Sequence, residues 1–147
     1  MSNLTNMNKV IIYTDGGARG NPGPAGAGVV VMDEAGQTLG EAAVPLGKMS
    51  NNEAEYWAVI HGLELAKKVL GKTKLAAAEV ELKLDSELVA RQLLGEYQIK
   101  EEHLGKLFLK IWNLRVKDFK RLRVTHVRRE GNARADALAN RAMDQLV

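Results

Sequence analysis

Residues 79–85, EVELKLD, alternate polar and apolar side chains, put Val80, Leu82 and Leu84 on one face, and stop at an aspartate. A period of two over that length makes a half-buried strand. The strand follows a long stretch of helical spacing, and that stretch follows three extended segments. A helical crossover returns the chain to its sheet in the parallel sense, whereas the short turns before it give antiparallel neighbours. These demands are met together by a mixed sheet with helices packed on it.

The rest of the chain fits that frame. Residues 9–15, KVIIYTD, form a β-branched and aromatic run that also ends at an aspartate, Asp15, closed by Gly16 and Gly17. The next segment, ARGNPGPAGAG, reads as loop and turn before VVVM resumes a strand. Residues 33–36, DEAG, read as a hairpin turn returning through residues 37–46. Ser50 or Asn51 offers the cap of a long helix in which Ala54, Ala58, Gly62, Leu65, Ala66 and Val69 keep helical spacing, and Gly71 closes it. Ser86 caps a helix over residues 87–94. Residues 101–115 carry an apolar stripe of Leu104, Leu107, Phe108, Ile111 and Trp112. A short strand over residues 121–127 and a helix over residues 133–146 finish the chain. The expected order is βββαβααβα, an α/β (α+β) fold with one mixed sheet. Residues 9–147 make one domain and residues 1–8 a tail.

Composition removes whole classes of chemistry. With no cysteine, the chain has no disulfide, zinc ribbon, iron–sulfur cluster or thiol nucleophile. Its longest uncharged stretch, residues 20–32, is too short and too rich in Gly and Pro to span a bilayer. Residues 1–8 lack the basic start and apolar run of a secretory signal, so a cytoplasmic location is expected. No serine sits in G-x-S-x-G. Gly71-Lys72-Thr73 imitates the end of a phosphate-binding loop, but Ala66 stands where the glycine is needed. His61, His103 and His126 do not cluster at ligand spacing. Residues 106–134 hold ten Lys/Arg against two acids, Asp118 and Glu130, in a chain of formal charge +3. A basic stripe beside an acidic remainder suits a polyanion partner, and a solvated helix face reads the same way.

Four carboxylates resist a bland reading. Adjacent parallel strands ending at Asp15 and Asp85 would set two like charges side by side, an arrangement that calls for a cation. On the long helix Glu53 shares a polar face with Glu64, Lys67 and Lys68, whereas Glu55 is flanked by Ala58, Val59 and Gly62. Asp136 has the same marginal position in the last helix, among Ala133, Ala139 and Met143. A carboxylate on a buried margin is costly unless paired or metal-bound. Four from four elements suit a hard divalent ion, Mg²⁺ most naturally, and phosphoryl chemistry. Taken singly, each also has an ordinary reading as a cap or an ion-pair partner.

YTDGGARGNPGPAGAG, SNNEAEYWAVIHGLELA, DSELVARQLLGEY and REGNARADALAN occur in the order and spacing of the type 1 ribonuclease H family, which the chain resembles from residue 9 onward. The resemblance implies a ribonuclease H-like fold, a five-stranded mixed sheet with flanking helices. It also implies hydrolysis of the RNA strand of RNA/DNA hybrids with Mg²⁺ or Mn²⁺, two ions being held once substrate is bound, to give 3′-hydroxyl and 5′-phosphate ends. Asp15, Glu55, Asp85 and Asp136 match the family's catalytic carboxylates. Asn21, Lys48 and Ser50 match a pocket for a DNA phosphate, and Asn51 and Asn52 match residues facing the minor groove, where 2′-hydroxyls distinguish RNA from DNA. Asn132 matches a residue near the scissile region; capping of the last helix is its alternative reading, as helix capping is for Ser50 and Asn51.

The chain also departs from many members. They carry a histidine in a loop just before the last aspartate, thought to assist proton transfer or product release; residues 127–135 contain none. Arg128, Arg129 or Glu130 are the candidates to replace it, and Arg128 and Arg129 are also candidate substrate contacts. The basic, Trp-containing protrusion of some members is absent, which leaves substrate grip to residues 106–123. Glu87 stands where a neutral amide is common. A monomer is expected, with double-stranded RNA as a further substrate to test. The competing readings are a non-cleaving hybrid or double-stranded RNA binding module and a structural scaffold.

Overall fold

The computed structural model describes residues 9–146; the tail expected over residues 1–8 lies outside the described residues. Five strands, β1 (Lys9–Ala18), β2 (Gly23–Asp33), β3 (Thr38–Met49), β4 (Glu79–Leu84) and β5 (Leu122–His126), form one sheet in the order β3-β2-β1-β4-β5. β1, β2 and β3 are antiparallel neighbours, while β4 and β5 join parallel, as the crossover demands. The helices are α1 (Asn51–Ala77), α2 (Glu87–Leu93), α3 (Glu102–Asp118) and α4 (Ala133–Asp144), the last entered through a 3₁₀ turn, Arg129–Asn132. This is the expected five-stranded mixed α/β fold. Among the described residues, no helix is long and apolar enough to cross a membrane.

α1 covers one face of the sheet. Val10, Ile12, Val29 and Val31 meet Tyr56, Val59, Ile60, Leu63 and Ala66 in a core that excludes water, and α3 packs on α1 from outside. Lys67 Nζ donates to Asp118 Oδ2 at 2.8 Å and ties those two helices. α4 lies on the opposite face, mostly across β2.

Two expectations are corrected and one is extended. The segment read as loop after Gly16 is mostly strand, since β1 runs on to Ala18 and β2 begins at Gly23. Gly20, with φ 94°, does turn the chain, whereas two later glycines serve close approach: a Cβ on Gly26 would lie 2.7 Å from the Ala139 carbonyl oxygen, and one on Gly28 would lie 2.0 Å from that of Ala135. Gly71, with φ 78° and ψ 163°, closes the long helical run of α1 as expected, and a second short helical stretch follows to Ala77 and carries the buried Leu75. Trp112, placed on the inner stripe of α3, instead faces outward at 49% exposure beside Leu109 and Val116, while Leu104 and Ile111 are buried.

Candidate active site

β1 and β4 pair in parallel up to Thr14 and Leu84, so the next residue of each, Asp15 and Asp85, emerges at the same edge of the sheet. Glu55 arrives there from the second turn of α1, whose start is fixed by a capping box. Ser50 Oγ accepts from the Glu53 N–H at 3.2 Å, and Glu53 Oε1 accepts from the Ser50 N–H at 3.1 Å. Glu53 is thereby engaged in the cap, and Glu55 turns inward, where its Oε1 accepts from the Gly16 N–H at 3.1 Å. Gly16 must lack a side chain, because a Cβ would sit 2.2 Å from the Ala54 carbonyl oxygen. Asp136, in the first turn of α4, completes the set at the same cavity.

Oxygens of Asp15, Glu55 and Asp85 lie within 4.8 Å of one another. All four carboxylates line one open cavity, together with Asn51, Asn52, Ser86 and Arg129. Asp15 is buried, Glu55 and Asp85 half-buried. Burial, reinforced by the charges of Asp85 and Asp136, pushes the Asp15 pKa up to about 8. Burial, then the charges of Asp15 and Asp85, lifts Glu55 well above the usual carboxylate range, and the Gly16 N–H and Arg129 only partly oppose this. The cluster therefore retains protons that carboxylates in water would lose. A divalent cation is the natural replacement for those protons, and an all-oxygen donor set suits a hard ion.

The other candidates divide. Asn52 and Arg129 line the carboxylate cavity. Ser50 caps α1, whereas Asn51 does not: its Oδ1 accepts from the Ala18 N–H at 2.8 Å, and its own N–H donates to Asn21 Oδ1 at 3.1 Å. Asn21, Ser50 and Asn51 are thus joined at the start of α1. Lys48 is exposed at the end of β3, opposite Pro24. Arg128 lies outside the cavity lining, at the start of the 3₁₀ turn. Arg134, counted in the basic stripe, is paired with Glu41 across α4 and β3. Asn132 caps nothing; it is buried, and its Nδ2 donates to the Thr14 carbonyl at 2.9 Å and reaches Asp85 Oδ2 at 3.4 Å.

The sequence reading overlooked His126. The segment after it indeed lacks a histidine, but β5 ends opposite Leu84 and brings the His126 ring to 3.2 Å from the Asp85 carbonyl oxygen. The available signal was its place at the end of a strand parallel to the one that leads into Asp85.

Comparison with known proteins agrees with this geometry. Residues 13–142 match the family described as reverse transcriptase-like. The chain is 32% identical to a ribonuclease H of Pseudomonas entomophila, over 93% of its own length and 95% of that protein. It is 42% identical to the bifunctional protein Rv2228c of Mycobacterium tuberculosis over 92% of its length, but spans only 36% of that relative. Among solved structures, LC11-RNase H1, isolated from compost, aligns with a TM-score of 0.90 at 50% identity, covering 95% of this chain and 99% of that one. LC11-RNase H1 in complex with an RNA/DNA hybrid aligns at 0.89 and 49% identity, covering 93% and 98% of the two chains. Family match, near full-length relatives and superposable folds converge, and the chain belongs to the ribonuclease H family.

Proposed function

We propose that this protein is a metal-dependent endoribonuclease that hydrolyses the RNA strand of RNA/DNA hybrids, acting as a single catalytic domain over residues 9–147 and as a monomer. The observation that carries this reading is the convergence of four carboxylates from four elements on one open cavity. Asp15, Glu55, Asp85 and Asp136 would hold two Mg²⁺ or Mn²⁺ ions once substrate is bound. Bound there, the metal would supply Lewis acidity to activate a water and to stabilise the leaving oxygen of the phosphodiester, which would leave 3′-hydroxyl and 5′-phosphate ends.

The chain's own residues do the rest. The Gly16 N–H and the α1 cap hold Glu55 in place. Asn51 and Asn52, at the rim of the cavity, suit the minor groove and its 2′-hydroxyls. Asn21, Lys48 and Ser50 suit a DNA phosphate beyond it, and Arg129, beside the carboxylates, suits the phosphate near the scissile bond. Arg128 has the simpler role of long-range attraction. His126, outside the cavity lining, meets the Asp85 backbone carbonyl with its ring and so supports the end of β4.

An end-labelled RNA/DNA hybrid, incubated with and without Mg²⁺ beside single-stranded RNA, double-stranded RNA and duplex DNA, tests the reading. Metal-dependent cuts in the hybrid's RNA strand are expected. Asp15→Asn should reduce them by about 10³-fold or more while the protein stays folded. Salt-sensitive hybrid binding without cleavage in either metal would leave a binding module instead.

A further inference from the structure

Asn132 is a buried polar side chain beside the carboxylates, at 1% exposure. It stands at the N-cap position of α4 yet makes no capping bond. Its amide nitrogen turns back across the sheet edge to the Thr14 carbonyl, at the point where β1 and β4 stop pairing, and to the carboxylate of Asp85. Its oxygen, also buried, has no hydrogen-bond partner among the described residues. The orientation is nonetheless decided, because the reversed amide would face two acceptors with a third. An unpaired buried oxygen costs stability, so this arrangement is retained for what the nitrogen does.

We infer that Asn132 is a positioning residue that holds Asp85 in the metal site, and is neither a helix cap nor a substrate contact. The inference rests on the carboxylate site proposed above. Asp85, half-buried on the sheet edge, has an oxygen within 4.8 Å of oxygens of Asp15 and Glu55. A donated N–H keeps its carboxylate turned inward. The same amide fixes the start of α4 relative to Thr14 of β1, and so ties the helix carrying Asp136 to the strand carrying Asp15. Groups that hydrogen-bond metal ligands from behind set ligand geometry, and their loss typically costs about 10–100-fold in metal affinity or activity.

The test separates positioning from contact. Mg²⁺ binding to substrate-free protein is measured by calorimetry for the parent and Asn132→Ala, and steady-state hybrid cleavage is measured for both. Expected are an apparent Mg²⁺ dissociation constant raised about 10-fold or more, kcat lowered about 10-fold or more, and a hybrid KM within about twofold. Unchanged Mg²⁺ affinity, or a raised KM at constant kcat, would overturn the inference. Should Asn132→Ala fail to fold, the side-chain NH₂ resonances of Asn132 in the parent decide. Slow solvent exchange and a shift on adding Mg²⁺ without nucleic acid support positioning; free exchange with no response to Mg²⁺ overturns it. A parent that binds Mg²⁺ but leaves hybrids uncut would refute the proposed reaction, while the Mg²⁺ measurements still decide the role of Asn132.

Discussion

The two faces of the sheet are held by different means. Under α1, branched and aromatic side chains interlock, and stability comes from apolar area removed from water. Under α4 the backbones themselves approach, with Gly26 and Gly28 against the carbonyls of Ala139 and Ala135, and ion pairs at the rim. The first interface yields to small losses of volume; the second admits no extra atom. Each helix brings one carboxylate, Glu55 or Asp136, to the edge where the strands bring the other two. The difference teaches that the site is aligned by close fit at Gly16 and Gly28 while the domain is stabilised elsewhere.

Substitutions can break that contrast. Gly28→Ala, whose Cβ would meet the Ala135 carbonyl at 2.0 Å, must displace α4 and with it Asp136. It is expected to cost about 3 kcal/mol in denaturant melts and more than tenfold in kcat for hybrid cleavage. Leu63→Ala, deep under α1, should cost about 2–3 kcal/mol of stability yet leave kcat within about twofold below its melting range. Equal catalytic losses in the two variants would erase the distinction. A smaller effect concerns charge. Asp15 ionises near 4 when unfolded and at about 8 in the fold. In the metal-free protein the contribution of Asp15 to stability is therefore fully present only below the unfolded value and is lost as pH rises through the folded one. Asp15→Asn, which cannot ionise, should exceed the parent by about 1–2 kcal/mol at pH near 9 in chelator, with Mg²⁺ narrowing the gap; a variant less stable than its parent there would contradict the assigned burial. Smallest of all, Arg134→Ala removes an exposed pair with Glu41 and should barely move the melting midpoint, less still in about 1 M salt.

Strand pairing and the four carboxylates were legible because they follow from local periodicity plus one topological rule. Alternation marked EVELKLD, the crossover made it parallel, and parallel neighbours bring Asp15 and Asp85 together. Glu55 was separable from Glu53 because only one faces the apolar margin. What failed depends on contacts distant in sequence. A glycine that frees a turn and a glycine that admits a helix look alike in a string, so residues 23–28 read as loop. Trp112 sits beside the α3 stripe on a helical wheel, and only the position of α1 decides that it points away. The Asn132 amide spans 118 residues to reach Thr14, a bond with no local signature.

That span has a consequence for biosynthesis. A chain made from its N-terminus acquires its first four strands and α1 early, but the site draws on residues 15, 55, 85 and 136. Until α4 docks, the nascent chain carries an incomplete ligand set and no Asn132 latch at the sheet edge. If the proposed reaction holds, products truncated before α4 lack Asp136 and are expected to leave hybrids uncut.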